Sequence, residues 1–198
     1  AIGSAGQALN ISTATLAASA GNAGIYVENT SAAPVLLRAI DTAGTLSATT
    51  RGTLVLGSIE AGSATLRSTT GDIQDDGNAN TLVSAASLTL RAETGIGPYA
   101  AIRTDAADID AVTTAGRIAI ETTNANANIV QASTQNNTIT ITITGSGGLT
   151  VGSVASGGGA ISLGGKSIAM GDGGTINAGT GTVALSATQG DITGTSTS

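Results

Sequence analysis

The sequence predicts an all-β chain wound as a parallel β-helix, a β-solenoid of roughly nine to ten rungs at about 20 residues per rung. Three observations predict it. Short alternating aliphatic runs recur along the chain with no sustained 3.6-residue period, so Ala does not act here as a helix former. An internal repeat of long period is present. Finally, 40% of the 198 residues are hydrophobic while only 1% are aromatic. Compact cores are normally filled by large rings, so this composition fits a narrow lumen packed by small aliphatic layers.

The clearest strand is Thr138–Thr144, strictly alternating Thr with Ile. Shorter counterparts are Leu9–Ile11, Ile25–Val27, Leu54–Leu56, Leu88–Leu90, Ile118–Ile120, Leu149–Val151, Ile161–Leu163 and Val183–Leu185. Gly, Asn, Asp and Ser punctuate them, supplying turns. Ile2–Leu16, Leu54–Ile73 and Leu149–Ile168 are expected to line the lumen.

The segment Ile2–Glu28 matches Ile96–Glu121, pairing Leu9 with Ile102 and Ile25 with Ile118. The match continues from Leu54–Ile59 onto Leu149–Val154, Leu66 onto Ile161, Ile73 onto Ile168, and Leu88 and Leu90 onto Val183 and Leu185. The chain therefore reads as two continuous solenoid units, 1–95 and 96–198, joined near Gly95–Gly97. The competing architecture is two tandem β-sandwich domains. Such modules carry a core Trp or a corner Tyr, which the two units do not share.

The inventory excludes whole classes of chemistry. With no His and no Cys, Ser-His-Asp and Cys-His nucleophile systems, ordinary zinc sites and disulfide redox are absent. A net charge of −6 and only Tyr26 and Tyr99 as aromatics argue against nucleic-acid binding. No apolar run is long enough for a membrane span. The start lacks a signal-peptide pattern, and the chain is read as a mature or excised piece of something longer.

The phrases Leu66-Arg67-Ser68-Thr69-Thr70-Gly71-Asp72-Ile73, Ser87–Gly97 and Leu185-Ser186-Ala187-Thr188-Gln189-Gly190-Asp191-Ile192, with Gly24–Asn29, resemble the punctuation of filamentous haemagglutinin-like large bacterial exoproteins. The resemblance covers nearly the whole chain through short motifs. It implies a right-handed parallel β-helical shaft secreted to the bacterial cell surface, often by a two-partner route, serving adhesion, biofilm or matrix. The chain resembles shaft, without that family's secretion domain or a terminal receptor-binding module.

The acidic clusters are Asp72, Asp75 and Asp76, and Asp105, Asp108 and Asp110. They are weak candidates for calcium, a cation that takes six to eight oxygens, or for a glycosidase acid/base pair. Turn chemistry is the plainer account, since Asp and Gly satisfy bends without a ligand. Gly171–Gly174 only loosely matches a calcium nonapeptide. Arg91, Arg103 and Arg117 are placed beside Asp105–Asp110, as surface ion pairs. The Thr138–Thr144 row invites an ice-binding reading, but ordinary β-propensity of Thr explains it; Asn124, Asn126 and Asn128 could start an Asn ladder, with a solvated turn an equal account. The sequons at Asn10, Asn29 and Asn136 are taken as chance matches. Gly145–Gly148, Gly157–Gly159 and Gly165-Lys166-Ser167 open no phosphate loop.

The expected role is non-enzymatic: a structural repeat segment acting as a stiff spacer or self-assembling scaffold. Its expected partners are adjacent repeats or further copies end to end. The alternative is a carbohydrate- or calcium-binding adhesin module meeting cell-surface glycans or matrix.

Overall fold

In the computed structural model, which describes residues 1–194, the chain is built of seventeen strands and, among the described residues, no helix. Every strand pairs in parallel with the strand one coil away, and the sole antiparallel bridge among the described residues joins Ser4 to Gln7 inside a loop. That excludes tandem sandwiches, whose sheets are antiparallel. Each coil contributes a first face, a second face and a short third one. On the first face Leu9, Val27, Ala48, Leu66, Leu90, Ala111, Ala132, Val154 and Ile176 form one continuous row. On the second face Val35, Leu54, Ile73, Ile96, Ile118, Ile139, Ile161 and Val183 do the same. The solenoid thus has about nine coils, as predicted, and at about 4.8 Å per step a length of roughly 38 Å. Coils run from 18 residues (Ala48 to Leu66) to 24 residues (Leu66 to Leu90).

The alternation explains the lumen. In Ile139–Ile143 the three Ile are buried and the two Thr exposed, because successive side chains leave opposite sides of a strand. Each enclosed Ile or Leu contributes about 1.5–3 kcal/mol. Leu54, Leu66 and Ile73 line the lumen as expected, and so do Leu149, Ile161 and Ile168. The expectation for Ile2–Leu16 needs correction. Ile2 and Leu16 are only half-buried and Leu9 is 49% exposed, because among the described residues no further coil stacks on this side of them. Val183 and Ile192 are exposed for the same reason at the other end.

The corners hold a feature that turn propensities did not reveal. Asn29, Thr50, Ser68, Thr113, Thr134 and Ser156 point inward where the first face ends, and all are buried. Their side chains satisfy corner backbone groups that the lumen would leave without water. Thr50 and Ser68 both donate to Gly52 O, at 2.9 and 2.7 Å. Thr134 donates to Gly116 O at 2.6 Å, in the coil before its own. Thr104 likewise donates to Val83 O at 2.6 Å. The hydroxyls of Ser68, Thr134 and Thr104 stitch coil to coil, while that of Thr50 closes its own corner.

Stacking passes through Gly95–Gly97 without a break, since Ile96 pairs with both Ile73 and Ile118. The matched segments have closely similar local structure but occupy different faces. The Cβ position of Gly3 faces Tyr26 O, Leu9 N and Gln7 O; that of Gly97 faces Ala119 O, Ile102 N and Ala100 O. These are the sequence-matched neighbours, and both glycines have positive φ (66° and 65°). Yet Ile25 stands on the first face and Ile118 on the second. Later, Leu54 on the second face matches Leu149 on the first. The shift of about 95 residues is about four and a half coils, so it exchanges the two faces.

Candidate functional site

Two outward loops on neighbouring coils are the main departures from a plain shaft. Leu56 to Ile59 is a direct connection, whereas the corresponding Asp75 and Val83 are separated by a loop. One coil on, Ile96 and Ile102 flank residues 97–101, opposite the unbroken Ile118–Ile120. Tyr99 stands in this second loop, 82% exposed. The first loop is braced from within: Gly77 N donates to Asp75 Oδ1 at 2.8 Å, Asn78 N to Asp76 Oδ1 at 2.9 Å, and Thr81 Oγ1 to Asp76 Oδ1 at 2.6 Å.

Arg103 clamps this loop to the shaft. Its Nη2 lies 2.6 Å from Asp75 Oδ1 and its Nε 3.2 Å from Asp75 Oδ2, a bidentate pair, with Asp76 at 3.8 Å. Asp75 is in register with the lumen residue Leu56, and its side chain is only 6% exposed. The bond to Asp75 raises the Arg103 guanidinium above its ordinary value, against a lowering by desolvation, and the charges of Asp75, Asp76 and Glu121 add to the rise. A raised value gives stability that is complete below the ordinary guanidinium range and is lost only as pH climbs through it, so the cation persists at all ordinary pH. Arg103→Ala leaves an enclosed carboxylate unpaired. It is expected to cost about 2–3 kcal/mol in urea unfolding and to open residues 76–82 to proteolysis. An unchanged unfolding midpoint would refute the clamp.

The remaining candidates are dispersed, each with a local partner. Asp72 accepts from Thr53 Oγ1 at 2.6 Å and Gln74 Nε2 at 2.9 Å. Asp105 accepts from Ser84 Oγ at 3.2 Å and Asp108 from Asn128 Nδ2 at 2.8 Å. Asp110 pairs with Arg91 through Oδ2, while its Oδ1 is enclosed with no hydrogen-bond partner among the described residues. Among the described residues no three acidic side chains converge on a point that could hold a metal ion. Of the three arginines placed beside Asp105–Asp110, only Arg91 is paired there. Arg103 turns to Asp75, and Arg117 donates through Nε to Gly97 O at 3.0 Å.

The other rows do not continue. Thr140 lies between Ala119 and Ser162, and Thr142 between Glu121 and Gly164, so no Thr array forms. Asn126 pairs with Gly148 and Asn128 with Asp108 and Thr150, so no Asn ladder forms. Gly171–Gly174 form an outward bulge between Met170 and Thr175.

A site the sequence reading missed lies on the outward side of the first face. Register places Arg67 directly against Arg91 on the next coil, and Thr65 against Thr89. They line a groove of about 580 Å³ with Thr49, Thr69 and Glu93. Arg91 is held by Asp110 and by its bonds to Leu90 O and Asp110 O. Arg67 is exposed and, among the described residues, has no ion-pair partner. The signal was the repeated Thr-Leu-Arg of Thr65–Arg67 and Thr89–Arg91. A second, adjoining groove adds Arg51 and shares Thr49 and Thr69.

Comparison with known protein families, curated proteins and solved structures finds no match to the chain.

Proposed function

We propose that this chain is a stiff structural shaft segment of an extracellular bacterial surface fibre, serving adhesion, biofilm or matrix as a spacer or self-assembling scaffold. One observation carries the reading: unbroken parallel register through about nine coils, with strand edges left open at both ends among the described residues. Among the described residues nothing pairs with the outer edges of Leu9–Asn10 and Thr15–Ser19 at one end or Val183–Ala187 at the other. Open edges with exposed Leu9 and Val183 template further coils, of the same polypeptide or of a second copy. The resemblance to filamentous haemagglutinin-like repeats supports the same role and the cell-surface location. The mechanism is mechanical: each coil buries its aliphatic row on its neighbours, and every strand hydrogen-bonds along the axis.

Cryo-electron microscopy of the purified chain tests this. The expected result is rods or filaments with an axial reflection near about 4.8 Å, in which successive copies abut end to end. Monodisperse particles that never associate, at any protein concentration, would remove the self-assembling scaffold.

A second reading, a carbohydrate-binding adhesin module, is favoured by the Arg67–Arg91 groove. The carboxylates supply less support for calcium, because each already accepts hydrogen bonds or an ion pair within its own loop or coil.

A further inference from the structure

We propose that the groove on the outward first face binds a polysaccharide bearing carboxylate groups, laid along the shaft axis. The assignment deepens the second reading above and does not depend on the shaft role. Two guanidinium side chains sit on consecutive coils in direct register, about 4.8 Å apart at the backbone. Like charges set opposite each other across strands destabilise a sheet. Arg91 has a resident counter-charge in Asp110, whereas Arg67 is left exposed without one among the described residues. A carboxylate in the groove completes the pattern: Arg67 takes it with its two-pronged donor set, while Arg91 is held in place.

The rest of the lining selects among polyanions. Thr49, Thr65 and Thr89 present hydroxyls that both donate and accept, and Thr69, whose proton goes to Thr50 O at 3.3 Å, adds an acceptor, matching the hydroxyls of a sugar chain. Glu93 accepts from a sugar hydroxyl and repels a densely charged strand. Duplex nucleic acid, with a charge for about every 1.7 Å of axis, is further opposed by the chain's net charge of −6. A uronate chain, with about one carboxylate per sugar, is sparse enough for one free arginine and has hydroxyls for the threonine rows.

The test is calorimetric titration of the whole chain with polygalacturonate oligosaccharides, their methyl-esterified form and a single-stranded DNA oligomer. Expected are binding of the free acid that weakens as salt is raised, and loss of binding on esterification. Arg67→Gln should weaken it by about tenfold or more, as befits losing a charge-assisted bond. Thr89→Val should weaken it less and Arg67→Lys partly restore it. Arg67 is exposed, so an unchanged circular-dichroism melt confirms that the variants fold. Absence of binding, equal binding of the ester, an unaffected Arg67→Gln, or equally tight binding of DNA each overturns the proposal. None of these outcomes moves the axial reflection, which decides the shaft reading separately.

Discussion

Ile141→Asp unfolds the coils around it and leaves the far half of the shaft folded. Ile141 is fully buried, in register between Ile120 and Leu163. The substitution forfeits about 1.5–3 kcal/mol of aliphatic burial. It also places in a dry lumen a carboxylate with no cation to meet it, so the total loss is expected to exceed about 4 kcal/mol. In a stacked chain, stability is a sum of coil terms and nearest-neighbour terms, so the damage stays local. Hydrogen exchange should show lost protection over Ile118–Ile143. The loss should extend through Ile161–Gly165, because the few coils beyond it are too short an array to stand alone. Leu46–Leu66 should keep its protection. Thr140→Asp, one residue earlier, outward and between the uncharged Ala119 and Ser162, should change stability by no more than about 0.5 kcal/mol. Equal protection in both variants would mean that Ile141 does not face the lumen.

Gly116→Val separates two coils by force of backbone geometry. Gly116 has φ 97°, and a Cβ there would lie 1.9 Å from Thr94 O and 3.0 Å from Gly95 Cα. Neither obstacle can rotate away, since both belong to the corner of the preceding coil. Strain of the backbone alone is of order 1–3 kcal/mol. The displaced coil also endangers the bond from Thr134 Oγ1 to Gly116 O. A loss of about 4 kcal/mol or more in chemical denaturation is expected, placing this variant beside Ile141→Asp. Gly77→Ala is the control: its φ is 75°, but nothing lies within 4 Å of the added Cβ. It should cost only about 1 kcal/mol. Equal effects of the two would show that φ, not coil-to-coil contact, governs these corners.

Much of the shaft was legible because strand alternation is a local code. Ile139, Ile141 and Ile143 declare their inward side without reference to any other coil. The coil count followed from the spacing of such runs. Which face a run occupies is not local: it depends on how many residues each corner consumes, and the coils vary by six residues, from 18 to 24. The match of Leu54 with Leu149 was therefore visible, and the exchange of faces was not. Among the candidate site residues, the turn chemistry of Asp75 and Asp76 could be read from Asp-Asp-Gly-Asn. The clamp by Arg103 could not, because it reaches back 28 residues. Inward Thr50 and Thr134 look in sequence like any solvated turn residue, and only closure of the corner reveals them as buried.

The exchange of faces governs where a shaft of this kind displays its decorations. A copying step of about four and a half coils turns each copied patch to another side of the rod. The Gly3 loop and the Gly97 loop share a backbone geometry yet stand on different faces. Had the step been a whole number of coils, copies would line up as one stripe, leaving the remaining circumference bare. A half-coil step instead distributes them around the circumference. A fibre lengthened in this way presents the same loop to neighbours on more than one side, whichever way the rod is rolled about its axis.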